Sequence, residues 1–417
     1  MRVLFVAQGP SHVQWQIPLA WATQLAGHEV LVATRPPYVG QITRAGLPAV
    51  AFGDEERIGT LVGQVKDDFA ERVRRRGAAE GGSGFTPTER ELVAAGGRKM
   101  IAIAEGMADD AVAAARAWRP GVVVHDTGAL VGQVVAAALG VPALGHTWGA
   151  TVDGVFDLAD EQFRPHFDPL FHRFGARPLP MEDTVWIDPS PPSMRAPVPV
   201  RRIDMRYVPY SGPGVLPDWL WAEHRPRVCV TTGISGASPS APWGEEAHRA
   251  LLESLAGQGC EVVLTVRDAS RVAAGTLPEG VRVVESFPLN VLLPTCAAVV
   301  HHGGVGTGTT SLACGVPQLV LAGHLVQRRW GEQVAAAGAG LTLPADGTAD
   351  APQVAKAAAQ LLADPALREG ARRVAAEIAA MPAPSVVVGM LADAASASSS
   401  GPPVHFHAVG PALRSST

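Results

Sequence analysis

The chain has 417 residues, 47% hydrophobic and 18% charged, with a formal net charge of −5. That length is more than one ordinary core serves, so two domains are expected. It carries no run of five basic residues and no stretch of eighteen apolar ones, which argues against a nucleic-acid partner and a membrane span.

Short β-branched runs alternate with helical patterns, the signature of parallel βαβ units. "RVLFVA" (2–7) reads as a strand, "VQWQIPLAWATQLAG" (13–27) as a helix and "HEVLVAT" (28–34) as a second strand, with Gly27 stopping the helix. The Arg- and Glu-rich region 54–118 reads as mostly helical, broken at "AAEGGSGFTP". "GVVVHD" (121–126) is a buried strand, followed by a helix over 129–139 and a strand in "VPALGH". From 150 to 225 Pro and aromatic residues cluster and the pattern loosens. A second α/β series then starts at "RVCVTT" (227–232) and continues through a helix over 244–258 and the strands "EVVLTV", "VRVVES" and "AAVVHH". Helices over 351–363 and 365–380 complete it. The division expected is a first Rossmann-like domain over 1–210, a linker over 211–225 and a second Rossmann-like domain over 226–381. A helix over 382–397 returns to the first domain, and a disordered Ser-, Gly- and Pro-rich tail fills 398–417.

Cys229, Cys260, Cys296 and Cys314 form no CxxC pair and lie in apolar surroundings, as reduced core cysteines of a cytosolic protein do. The N-terminal "MRVLFVAQG" lacks the apolar core and cleavage site of an export signal, so a cytoplasmic location is expected.

The stretch "VVHHGGVGTGTTSLACGVPQ" (299–318) ends a strand and opens a helix, with glycines where a ligand would approach the backbone. Successive N–H groups at a helix N-terminus suit a phosphate, to which His302 and Thr307 can add side-chain hydrogen bonds. A glycine-rich turn that merely packs a helix on a sheet has the same composition. A dinucleotide fingerprint fits poorly, because Thr309 stands at the third glycine position and the first acid downstream is Glu332. No GxxxxGK[ST] occurs.

The run "HHGGVGT…GVPQ", the N-terminal "GPSHVQWQIPLAWATQLAGHEV" and the linker "RYVPYSGPGVLPDWL" together resemble the actinobacterial natural-product glycosyltransferases of family 1. The resemblance runs from about residue 1 to 395. It implies the GT-B fold, two Rossmann-like domains with a cleft between them, and transfer of a deoxysugar from a nucleotide diphosphate, dTDP by expectation, to a polyketide-like aglycone. By it, His302, Gly304, Gly306 and Thr307 cradle the donor diphosphate, Gly233 and Ser235 form a second donor loop, and Phe287 lies near the nucleobase. His12 is the matching catalytic base and Asp126 the acid that orients it. A base that takes the acceptor proton during attack contributes about 10²–10⁴-fold. For His12 the plain alternative is a loop histidine capping the next helix, and for Asp126 a helix N-cap. Direct displacement across from the base inverts the anomeric centre.

The family usually ends its donor motif with an Asp-Gln pair that holds sugar hydroxyls, whereas here Val326 precedes Gln327. Valine accepts no hydrogen bond, so a deoxygenated donor is expected. His324 and Trp330 also replace more usual residues. No HExxH or Asp-x-Asp occurs, so no metal and no cofactor beyond the nucleotide sugar is expected. The segment from Trp148 to Phe174 suits a large apolar aglycone, with Trp148, Phe156, Phe163 and Phe167 as candidate contacts, though it also suits a core edge. A homodimer or an accessory activator protein is a further possibility for a chain of this kind. Two other readings stay open: a nucleotide-sugar epimerase on the same fold, and a non-catalytic nucleotide-sugar-binding or activator protein.

Overall fold

A computed structural model describes residues 1–76, 87–149, 163–179, 184–195, 200–222, 225–233, 245–269, 277–323, 325–344 and 350–398. The first sheet contains β1 (Arg2–Val6), β2 (Glu29–Thr34), β3 (Ala49–Ala51), β4 (Val122–Asp126), β5 (Ala143–His146), β6 (Val185–Asp188) and β7 (Arg201–Asp204). These strands are parallel in the order β3-β2-β1-β4-β5-β6-β7. The second contains β8 (Arg227–Thr231), β9 (Glu261–Val266), β10 (Val281–Glu285), β11 (Ala298–His301), β12 (Gln318–Ala322) and β13 (Gly340–Pro344), parallel in the order β10-β9-β8-β11-β12-β13. Central strands such as β4, β8 and β12 are buried along their whole length, as parallel strands covered by helices on both faces must be.

The loosely patterned region after residue 150 contains more regular structure than its composition suggests. It supplies β6, β7 and a helix, Arg164–Arg173, that has one proline in its first turn and Pro169 inside. Strands of four residues between prolines carry too little periodicity to register. The last helix, Pro384–Ser398, lays Val387, Val388, Leu391 and Ala394 into the same cluster as Val3, Phe5, Ile17 and Leu19 of the first domain. A separate cluster joins the two domains: Trp15, Met194 and Tyr207 pack with Leu312, Val320, Trp330 and Ile378. Polar contacts border it, where Glu377 accepts the backbone N–H and the hydroxyl of Ser193 at 2.6 Å each.

The four cysteines are unpaired. Burial pushes every thiol up, Cys296 to about 12 and Cys314 to about 11. Among the described residues no single helix is long and apolar enough to cross a membrane.

Candidate active site

Each sheet reverses its strand order beside its first strand, and such switch points open a crevice at the carboxyl ends. In the first sheet the reversal lies between β1 and β4. β1 runs out through Ala7, Gln8 and Gly9 into the helix Pro10–Leu25, whose first turn contains His12. Asp126 is the last residue of β4. His12 Nδ1 and Asp126 Oδ1 are 3.0 Å apart. The carboxylate also accepts the backbone N–H of Gln8 at 2.9 Å, of Gly128 at 2.6 Å and of Ala129 at 3.0 Å. An ionised carboxylate only accepts, so Nδ1 carries the hydrogen, and in the neutral form of the ring the lone pair is on Nε2.

Asp126 is 2% exposed, and burial alone would raise its pKa. The charge of His12, its hydrogen bond and the N–H groups of Gln8 and Gly128 outweigh that, and hold the carboxyl below its ordinary value. The site thus keeps a negative charge against an imidazole whose side chain is still 21% exposed. One aromatic neighbour packs on that ring, and glycine leaves room beside it. A Cβ at Gly9 would stand 3.4 Å from His12 Cδ2, and the Trp148 indole lies 3.8 Å away between centroids at 47°.

In the second sheet the reversal lies between β8 and β11. The loop after β11 is shaped by His301, which is buried and neutral. Its Nε2–H donates to Gln318 Oε1 at 2.8 Å, while Nδ1 accepts the Gly303 N–H at 3.1 Å. Burial, then the neighbouring His302, drives its pKa down to about 3. Gly303 has φ +84° and lies under Gln327, where a Cβ would come within 2.8 Å of the Gln327 Cβ. The helix Val305–Ala313 follows, and its first bond runs from Gly308 N–H to Gly304 O at 2.9 Å. The N–H groups of Val305, Gly306 and Thr307 therefore precede the ladder, as at any helix N-terminus.

The His302 ring sits between the two glycine loops. A Cβ at Gly233 would stand 2.3 Å from its Cε1, and one at Gly304 2.7 Å from its Nε2. Gln327 accepts the Gly323 N–H at 2.8 Å, and Val326 beside it is 45% exposed. Phe287 is half-buried and packs on Trp219, with centroids 5.9 Å apart.

The two switch points meet across the interdomain cluster. Gly149 has φ +101°, and a Cβ there would clash with Val305 Cγ1 at 2.4 Å. A Cβ at Gly306 would lie 3.7 Å from Trp15 Nε1, and Trp15 is one turn beyond His12 on the same helix. The Tyr207 hydroxyl is 3.0 Å from Thr310 Oγ1. Sequence reasoning missed Trp15, Tyr207 and Gly149; only the i, i+3 spacing of Trp15 from His12 was available as a signal.

The acceptor-side residues separate. Phe163 is 2% exposed and belongs to the core with Met107 and Phe171, because the helix it precedes packs inward. Phe167 meets Phe171 edge-on at 4.9 Å. Ser235 and Phe156 lie outside the described residues, as does His324. Among the described residues no group of three or more His, Cys, Asp or Glu is placed to hold a metal ion.

Comparison with known proteins adds to this geometry. The N-terminal domain of erythromycin biosynthesis protein CIII-like proteins matches residues 21–233, and the C-terminal domain matches residues 249–394. The chain belongs to this CIII-like family. It is 36% identical to the aclacinomycin-T 2-deoxy-L-fucose transferase of Streptomyces galilaeus, over 94% of this chain and 95% of that protein. It is 35% identical to the TDP-daunosamine transferase DnrS of Streptomyces peucetius, over 94% of this chain and 96% of that one. The solved structure of the spinosyn rhamnosyltransferase SpnG is similar with a TM-score of 0.78 at 30% identity, over 94% of this chain and 100% of that one. SpnG has also been solved with thymidine diphosphate and with spinosyn aglycone. This CIII-like chain is accordingly a glycosyltransferase with the two-domain GT-B fold.

Proposed function

We propose that the chain transfers a deoxysugar from a thymidine diphosphate donor to a hydroxyl of a hydrophobic polyketide-type aglycone, with inversion and without a metal. The observation that carries this reading is the seating of the His12–Asp126 pair beside the N-terminus of the helix Val305–Ala313, through Trp148 and the Gly149–Val305 contact. In this reading His12 Nε2 takes the acceptor proton as the oxygen attacks the anomeric carbon, and Asp126 stabilises the imidazolium that forms. The leaving diphosphate gathers charge against the N–H groups of Val305, Gly306 and Thr307, with His302 alongside, which is charge stabilisation by preorganised donors. Gly233 and Ser235 complete the donor side, Phe287 flanks the nucleobase and Gln327 meets the sugar. Both named relatives move modified hexoses, in accord with Val326 where a carboxylate would hold a hydroxyl.

The test offers TDP-2-deoxy-L-fucose, TDP-daunosamine and TDP-glucose to a panel of aromatic and macrolide aglycones, aclacinomycin T included, with products read by mass spectrometry. His12→Ala is expected to lower transfer by about 10²–10⁴-fold while calorimetry still shows thymidine diphosphate binding. Transfer that survives the substitution would remove His12 from its role. Thymidine diphosphate binding with no transfer by the wild type would favour a binding module.

A further inference from the structure

We infer that Trp148 is a positioning residue for His12: it packs against the imidazole and ties the base to the donor-domain helix. This rests on the proposed role of His12 and goes beyond it.

The imidazole has two fixed contacts: Asp126 Oδ1 lies 3.0 Å from Nδ1, and the Trp148 indole lies 3.8 Å from the ring between centroids, tilted by 47°. A single hydrogen bond at Nδ1 leaves the ring free to rotate about that contact. The close indole restricts that rotation, and with Nδ1 taken by Asp126 the second ring nitrogen, Nε2, is the one left for an acceptor.

Trp148 is itself held from behind. Its neighbour Thr147 donates its backbone N–H to Ile187 O at 2.9 Å and its hydroxyl to the buried Asp188 Oδ1 at 2.9 Å. The Thr147 carbonyl accepts the His146 Nδ1–H at 2.8 Å. Thus β5 and β6 set the height of the indole. On its other side Gly149 takes φ +101° with no room for a Cβ against Val305 Cγ1. Trp148 packs in the interdomain cluster with Val305 and Trp15. One short loop therefore touches the base and the first residue of the donor helix together. An acceptor wall needs neither contact.

The experiment uses Trp148→Leu and Trp148→Phe, alone and with His12→Ala, on the donor–aglycone pair of the panel that the wild type turns over. Trp148→Leu is expected to lower kcat by about 10- to 100-fold, the scale of a misplaced reacting group, with the aglycone KM little changed. Trp148→Phe restores most of the loss, because an aromatic face is kept. In the His12→Ala background the leucine substitution costs nothing more, since effects transmitted through one residue do not add. A raised aglycone KM at unchanged kcat, or the same fold-loss in the His12→Ala background, would make Trp148 an acceptor contact and overturn the inference. One readout requires no variant of Trp148. The His12 ring-proton resonance of the wild type, assigned by its absence in His12→Ala, is expected upfield of the free-imidazole position, and a resonance at that position refutes the stacking. If His12→Ala itself keeps transfer, the base reading fails. If His12→Ala abolishes transfer and Trp148→Leu leaves kcat unchanged, the positioning role alone fails.

Discussion

Replacing Asp126 by Asn changes one charge at the base of the site and no shape. The carboxylate serves four donors: Oδ1 accepts from His12 Nδ1 and from the N–H groups of Gly128 and Ala129, and Oδ2 accepts from Gln8 N–H. An amide oxygen kept in the Oδ1 place satisfies three of them and turns its NH2 group toward the fourth. One buried N–H then faces another donor, a loss of about 1–3 kcal/mol. The imidazolium formed during transfer also loses its counter-charge, and the base contributes less of its about 10²–10⁴-fold. Asp126→Asn is therefore expected to fold, to unfold at lower urea, and to transfer sugar about 100-fold or more slowly. Initial rates by chromatography and urea melts followed by fluorescence measure both.

The pH dependence gives a second check on the same substitution. Burial opposes ionisation of Asp126, but the His12 charge and the hydrogen bonds outweigh it and leave the folded pKa below 3.8. A depressed folded pKa contributes stability that is present above the unfolded value and lost as pH falls through the folded one. The stability gap between wild type and Asp126→Asn should hold steady from pH 7 to about 5 and close only below about 4. Transfer by Asp126→Asn within about threefold of wild type would refute the pairing as a catalytic device.

Three further outcomes can be measured. Gly233→Ala places a Cβ at φ +75° and 2.3 Å from His302 Cε1, so thymidine diphosphate should bind about tenfold or more weakly by calorimetry, each 1.4 kcal/mol being a decade; an unchanged Kd would detach His302 from the donor site. Val326→Asp, at a position 45% exposed and so free to carry a charge, should raise turnover of TDP-glucose relative to the deoxysugar donors by up to about tenfold, and an unchanged ratio would remove residue 326 from sugar selection. His146 and His301 are buried, one in each domain, and burial lowers them to about 4 and about 3 from 6.5. The unfolded chain takes up their protons first, so stability should fall from pH 6.5 toward 4.5 by about 1.4 kcal/mol per unit for each, and a flat urea midpoint over that range would show them protonated in the fold.

Much of the scaffold is legible in the sequence, for a physical reason. Strands buried on both faces must be apolar throughout, and "RVLFV", "VVVHD" and "RVCVT" announce themselves that way. Polar residues at the end of such runs mark a strand mouth, which is how the 302–307 loop comes to notice, whereas His12 and Asp126 come to notice through the family resemblance. What stays hidden depends on contacts distant in the chain. Phe163 looks like an exposed aromatic among prolines until the helix after it packs on Met107. The left-handed Gly149 belongs to no turn signature; Val305, more than a hundred residues away, forbids it a side chain. Nothing in "HTWGA" says that its tryptophan will face a histidine of the first helix.

The interdomain cluster gives the proposed chemistry its geometry. His12 and Trp15 ride on one helix, and Trp15 packs beside Gly306 at the start of the other domain's glycine helix, so the separation of base and phosphate cradle is set by apolar packing. Polar groups then tune what that packing places. Burial raises the Tyr207 phenol to about 12, so it remains a neutral donor at any working pH. Thr310 Oγ1 donates to Gly306 O at 2.8 Å, which leaves its lone pairs for the Tyr207 hydroxyl at 3.0 Å. The direction of the chain is thereby fixed, from Tyr207 to Thr310 to the Gly306 carbonyl. Hydrogen bonds linked in such a chain strengthen one another, by about 10–30% per bond, and the accepting carbonyl passes that effect through its own peptide unit. The N–H of that peptide is the one on Thr307, which in the proposed function faces the departing diphosphate. A tyrosine supplied by the first domain thus strengthens a donor of the second, and does so only while the two domains are packed together.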